Sequence, residues 1–142
     1  MKIITAVFVV LTLGCFSNAY GAAFNQEVNS YIQNLEKQAR QQDPSFKGFS
    51  AERGKQIYFD QQPHQKLGKI SCASCHTDDV RKQGRNAKTG KVIDPIAPSA
   101  DPKAFTSAKN LEKWLKRNFN DVYGREGTAK EKGDAIFYIS QY

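Results

Sequence analysis

Three features of the 142-residue sequence predict an all-α fold. Apolar residues recur at i, i+3, i+4 and i+7 in several segments, each bounded by capping residues. No segment shows the apolar–polar alternation of a half-buried strand. The third feature is Cys72-Ala73-Ser74-Cys75-His76, a compact motif with polar or proline-rich stretches on either side, which the helices are expected to surround.

Residues 1–23 read as a cleaved secretory signal. Lys2 forms the basic start, Ile3 to Leu13 the apolar stretch, and Ala19, Gly21, Ala22 and Ala23 supply small residues for cleavage. The apolar stretch is too short to span a bilayer reliably. Cleavage after Ala23 is preferred. A lipidated Cys15 is disfavoured, because Thr12 and Leu13 suit such a site poorly. The domain expectation is therefore signal 1–23, an N-terminal amphipathic helix within 24–45, and the main domain over 46–142. Removing the signal takes away Cys15, Met1 and Lys2 and no acid. Cys72 and Cys75 become the remaining cysteines, no methionine is left, and the net charge drops by one from +7.

In the first helix Val28, Tyr31, Ile32, Leu35 and Ala39 share a face. Asn25 caps its start, and Asp43-Pro44 ends it, since the residue before proline avoids the helical region. Ser50 caps a second helix, Ala51 to Phe59, where Gly54 and Tyr58 share a face that another helix can approach closely. Residues 60–70 read as a polar loop. After the motif come Arg81, Lys82, Arg85, Lys88 and Lys91 with no intervening acid, read as partner docking, propionate neutralisation or a solvated loop. Residues 92–102 carry Pro95, Pro98 and Pro102 and cannot form a regular helix. Ser107 caps a helix expected to end near Phe119, with Leu111, Trp114, Leu115 and Asn118 on one side. Thr128 with Glu131 forms a capping box for the last helix, whose Gly133, Ile136 and Phe137 are expected to meet Gly54 and Tyr58.

The pattern C-x-x-C-H attaches a c-type haem. Two cysteines three apart can each add to one haem vinyl group, and the adjacent histidine then lies over the ring to bind iron. A thioredoxin-like reading needs a βαβ context that is missing, and a structural zinc needs four ligands that the spacing does not supply. One covalent haem c on Cys72 and Cys75, with His76 axial, is the expectation. Residues 92–102 then lie extended along a haem face, and a carbonyl among them is expected to accept the Nδ1–H of His76. Lys91, Ile96, Pro98, Trp114 and Leu115 are the candidate pocket residues. Export argues against nucleic acid as the partner of this basic chain and favours an acidic redox partner.

The sixth ligand is open on spacing alone. Methionine is excluded once the signal is removed. His64, a lysine, a tyrosine, Asn118, water or a vacant position remain. His64, in the polar loop, reads as a surface histidine, and Asn118 reads as an asparagine near a helix end bonded to backbone.

Several blocks resemble the sphaeroides haem protein family of bacterial c-type cytochromes. They are Ala51-Glu52-Arg53-Gly54, Ser71 to His76, Asp79-Val80, Lys88-Thr89-Gly90-Lys91, Ile96-Ala97-Pro98-Ser99-Ala100, Glu112-Lys113-Trp114-Leu115-x-Arg117-Asn118 and Gly124-Arg125. The resemblance implies a class I cytochrome c-like helical fold with an extra N-terminal helix. It also implies an asparagine, here Asn118, that binds ferric iron opposite the histidine and leaves on reduction, opening the iron to O2, NO or CO. Family members can carry a disulfide where this chain has Phe119 and Gly127. A dihaem cytochrome c and a membrane b-type cytochrome are the implied donors. The expectation is thus a periplasmic monohaem cytochrome with no membrane span after signal removal. It accepts electrons and binds diatomic gases. A plain electron carrier with a permanent sixth ligand is one alternative. A nitric oxide dioxygenase or oxygen-reducing component is the other, and a dedicated enzyme is the less favoured reading.

Overall fold

The computed structural model describes residues 24–142. The signal-segment expectation, Cys15 included, lies outside the described residues. The described residues form five helices: α1 (Gln26–Gln42), α2 (Ala51–Phe59), the single-turn α3 (Ala73–His76) within the motif itself, α4 (Ala108–Tyr123) and α5 (Ala129–Ile139). Four short strands, outside the all-helical expectation, form two antiparallel pairs. β1 (Gln62–His64) pairs with β2 (Gly68–Ile70), and β3 (Gly84–Arg85) pairs with β4 (Val92–Ile93). At two or three residues each, they are too short to show an alternation in sequence.

Helix α5 is the centre of the packing, with α1 and α2 laid against it. Val28, Ile32, Leu35 and Ala39 of α1 join Leu115, Phe119, Ala135 and Ile136 in one buried cluster. The N-terminal helix is therefore part of the core. Asn25 caps α1 by accepting from the Val28 amide, and its Nδ2 donates to the Thr106 carbonyl at 2.7 Å. Glu27 reaches across to accept from the Ala108 amide at 2.9 Å, placing a carboxylate at the positive end of α4. The cap residue Asn25 and Glu27 in the first turn thus tie α1 to the start of the helix that carries Asn118.

Gly54 seats α2 on α5 so closely that a Cβ there would fall on the Asp134 carbonyl. The expected partner residues were different. Gly54 and Tyr58 meet Asp134 and Tyr138, whereas Gly133 receives the ring of Phe49. Asp134 is 2 % exposed and accepts from Arg53 Nε at 2.7 Å, Arg53 Nη2 at 2.8 Å and the Ser50 amide at 2.7 Å. This forked pair locks the start of α2 to α5.

Helix α4 does not end near Phe119. It runs to Tyr123, because Val122 continues the buried stripe of Leu115 and Phe119. The stop is Gly124, in the left-handed region at φ 67°, whose amide donates to the Asn120 carbonyl. Asn118 therefore sits within the helix, more than a turn from its end.

Candidate haem site

The motif is held on three sides. From one side Tyr58, 3 % exposed, donates its hydroxyl to the Thr77 carbonyl at 2.8 Å. From another, β3 closes down: a Cβ on Gly84 would fall on the Cys75 carbonyl oxygen and lie 3.0 Å from the His76 Cα. On the third, Val80, Ala97, Tyr58 and Tyr138 form a buried cluster against Cys72, Ala73 and Ile96. The proline-rich stretch joins it through the Ile96 and Ala97 amides, both donating to the Val80 carbonyl at 3.0 and 3.1 Å. An extended segment thus lies beside the motif as its prolines require.

Cys72 and Cys75 are not joined in a disulfide. Burial pushes the Cys72 thiol up to about 12, and the nearby Cys75 sulfur adds to the rise. Burial also holds the His76 imidazole below its usual range, so the ring is neutral at pH 7 and can offer a lone pair. Its Nδ1 is buried with no hydrogen-bond partner among the described residues, which overturns the expected bond to a carbonyl of residues 92–102. The Ala97 carbonyl accepts from the Ala100 and Asp101 amides instead.

The other nitrogen carries the site. Nε2 of His76 faces the side-chain amide of Asn118, with Nδ2 at 3.5 Å. A half-turn about the last side-chain torsion presents Oδ1 at the same place. Two donors about 2 Å to either side of a metal stand about 4 Å apart. The observed separation fits one ion between them with a small opening. No group of three or more His, Cys, Asp or Glu that could hold a metal occurs among the described residues, so His76 and Asn118 are not part of a four-ligand zinc cage there.

Comparison with known proteins identifies the family. A family model described as a domain of unknown function, DUF1924, matches residues 44–139. Cytochrome c-type protein SHP of Cereibacter sphaeroides is 43% identical over 90 residues, 63% of this chain and 69% of that one. The solved structure of oxidized SHP, described as an oxygen binding cytochrome c, superposes with a TM-score of 0.69 at 35% identity, covering 81% of this chain and 96% of that one. Cytochrome c'' of Methylophilus methylotrophus is 31% identical over 140 residues, 98% of this chain and 93% of that one.

The chain belongs to the SHP family of c-type cytochromes. It has the helical class I-like fold of those relatives, and its cofactor is haem c.

Set against that membership, the other candidate residues divide. Ile96 is half-buried in the cluster that includes Cys72, Leu115 is buried in the other cluster with α1 and α5, and Pro98 is half-buried. Trp114 is not packed with Leu115: it is 47% exposed, one turn before Asn118, with Lys113 and Arg117 over its ring. Lys91 is exposed, and its carbonyl closes the β3–β4 turn by accepting from the Asn86 amide. His64 lies in β1, where its Nδ1 accepts from the Lys66 amide two residues on. It is engaged in a local turn, and the amide facing His76 is that of Asn118. His64 and Lys88 line a cleft of about 700 Å³ between the β1–β2 hairpin and the end of α4. That cleft does not include His76.

The basic run is less free than its sequence suggests. Arg81 pairs with Asp79 at 2.8 Å and Lys88 with Asp121 at 2.6 Å, while Arg85 donates to the Gly90 carbonyl. Phe119 and Gly127, expected to stand where relatives can carry a disulfide, touch: the Phe119 ring fills the space a Cβ on Gly127 would take, at 2.7 Å. Gly84 is the site residue that sequence reasoning missed. A lone glycine in a basic loop signals a turn, and nothing local says that it meets the motif.

Proposed function

We propose that Cys72 and Cys75 tether the haem, that His76 is its permanent axial ligand, and that Asn118 is the reversible ligand opposite. The approach of the His76 ring to the Asn118 amide carries this reading. Haem c supplies a one-electron couple and, when one axial position opens, a place for a diatomic gas. The amide oxygen of Asn118 is a neutral, hard donor, so it holds the more positive ferric state better than the ferrous one. Asn118 sits inside α4, so its release is a rotation of the side chain and needs no unwinding of the helix end. His76 stays, because its backbone is held by the close approach of Gly84 and by the Tyr58 bond to Thr77.

In this reading the protein is an exported monohaem cytochrome that takes up an electron and then binds O2 or NO. The oxygen binding named for SHP supports it. Among the described residues, no helix is long and apolar enough to cross a membrane. The exposed Lys82 and Arg85, with Arg81 and Lys88 as paired neighbours, form the face offered to an acidic electron donor.

Optical spectra of oxidised, reduced and carbon-monoxide-treated protein test the ligand assignment. Reduction is expected to give a five-coordinate spectrum that changes at once with carbon monoxide. A reduced protein that stays six-coordinate and rejects carbon monoxide, with His64→Ala accepting it, would make His64 the ligand.

A further inference from the structure

We propose that Tyr58 is a positioning residue for His76, acting through the backbone of Thr77; the inference rests on His76 as the permanent axial ligand. A haem-ligating histidine usually has its ring set by a hydrogen bond from Nδ1 to a carbonyl or carboxylate. Here Nδ1 is buried and without a partner among the described residues. Ring orientation must then come from the backbone that leaves His76. That backbone is unusual. Thr77 has φ 65° and ψ 172°, a region that is essentially confined to glycine and is worst for a β-branched residue. Such a conformation persists only where its surroundings over-determine it.

The surroundings are visible. The Tyr58 hydroxyl donates to the Thr77 carbonyl at 2.8 Å, and Thr77 Oγ1 donates to the Asp79 carbonyl at 2.8 Å. The Tyr58 ring has no freedom of its own, lying between Phe59 and Tyr138 with centroids 5.1 and 5.2 Å away. Gly54, on the same face of α2, presses that helix onto α5. Burial keeps the phenol protonated far beyond its ordinary range, so it remains a donor. The line of force runs from α5 through α2 and the Tyr58 hydroxyl to the strained Thr77, and so to His76. Tyr58 sets the angle at which the imidazole meets iron without touching it.

The test uses the haem-loaded protein. Tyr58→Phe keeps the ring and deletes the donor, and Tyr138→Phe in the same aromatic cluster is the control. The iron–histidine stretching band of the reduced protein, read by resonance Raman, is expected to shift in Tyr58→Phe and stay in Tyr138→Phe. Exchange of the His76 amide, bonded to the Cys72 carbonyl at 3.0 Å, is expected to speed up about five- to tenfold in Tyr58→Phe alone. With Thr77→Gly there is no strain to hold, so adding Tyr58→Phe to it is expected to change the band little. Absence of any iron–histidine band in the wild type would mean that the reduced iron keeps a sixth ligand, which sinks the release of Asn118, and the His76 amide exchange then decides the positioning role. A normal band unmoved by Tyr58→Phe overturns the positioning role and leaves the axial assignment standing. If Tyr58→Phe does not fold, Thr77→Gly is expected to restore folding in that background, and failure to do so also overturns the role.

Discussion

Gly84→Ala isolates how tightly the motif is clasped. Gly84 is not among the glycines at positive φ, so alanine can adopt its backbone conformation and the effect is steric. The added carbon would fall on the Cys75 carbonyl oxygen and lie 3.0 Å from the Cys75 carbonyl carbon and the His76 Cα. These are backbone atoms of the motif's own turn, and no side chain can rotate away to make room. Relief requires β3 to move off the motif. Overpacking of this kind costs about 1–3 kcal/mol, and a backbone obstacle belongs at the upper end. The stiffer unfolded chain offsets about 0.4–1 kcal/mol. A net loss of about 2 kcal/mol lowers Tm by roughly 5–10 °C for a domain of this size. Gly68→Ala is the comparison. It has open space but φ 74°, so it suffers backbone strain without a clash. Thermal melts of haem-loaded protein, followed in the Soret band and by far-ultraviolet circular dichroism, measure both. Because the displaced atoms flank His76, Gly84→Ala is also expected to alter the reduced spectrum, which Gly68→Ala leaves unchanged. A Gly84→Ala protein that melts within a degree or two of wild type with an unchanged spectrum refutes the clasp.

Asn118→Ala is expected to bind azide more tightly in the ferric state, by removal of the internal competitor, as read by optical titration. Replacing Cys72 and Cys75 with alanine should leave no haem that survives acid–acetone extraction, and retained covalent haem would move the attachment site elsewhere. Arg53→Ala strands the buried Asp134 carboxylate and should cost about 3 kcal/mol in urea unfolding, at the low end for a broken buried pair because Arg53 is 41% exposed. Glu131 has its carboxyl held below the usual range, first by its bond from Arg125, then by the Thr128 amide. The stability it contributes is full above its unfolded value of about 4.3 and is lost as pH falls through the folded value, so Glu131→Gln should flatten that part of the pH–stability curve. Electron transfer from an acidic donor should slow with added salt, and Lys82→Glu or Arg85→Glu should slow it more than Lys88→Glu, whose charge Asp121 already answers.

Local signals in the sequence determined every long helix start. Asn25, Ser50, Ser107 and Thr128 accept from the amides three residues on, because a capping side chain needs only its own first turn. The haem motif was legible for the same reason, since its chemistry lies within five residues. Asn118 was not legible from spacing. Its position on the apolar side of α4 fits a packing residue equally well, and only family resemblance singled it out before the fold placed it opposite His76. The end of α4 was misplaced because Asn120 and Asp121 resemble a stop, whereas burial of Val122 outweighs their weak propensities. Tertiary structure alone decided what surrounds the motif. Gly84 closes on Cys75, Tyr58 reaches Thr77 across 19 positions, and Asp121 answers Lys88 across 33. None of these contacts has a periodic or local trace, because each joins residues whose neighbours in sequence serve other elements. The strain at Thr77 was hidden likewise: threonine after His76 gives no hint of a positive φ, which the packing of α2 and the bond from Tyr58 sustain.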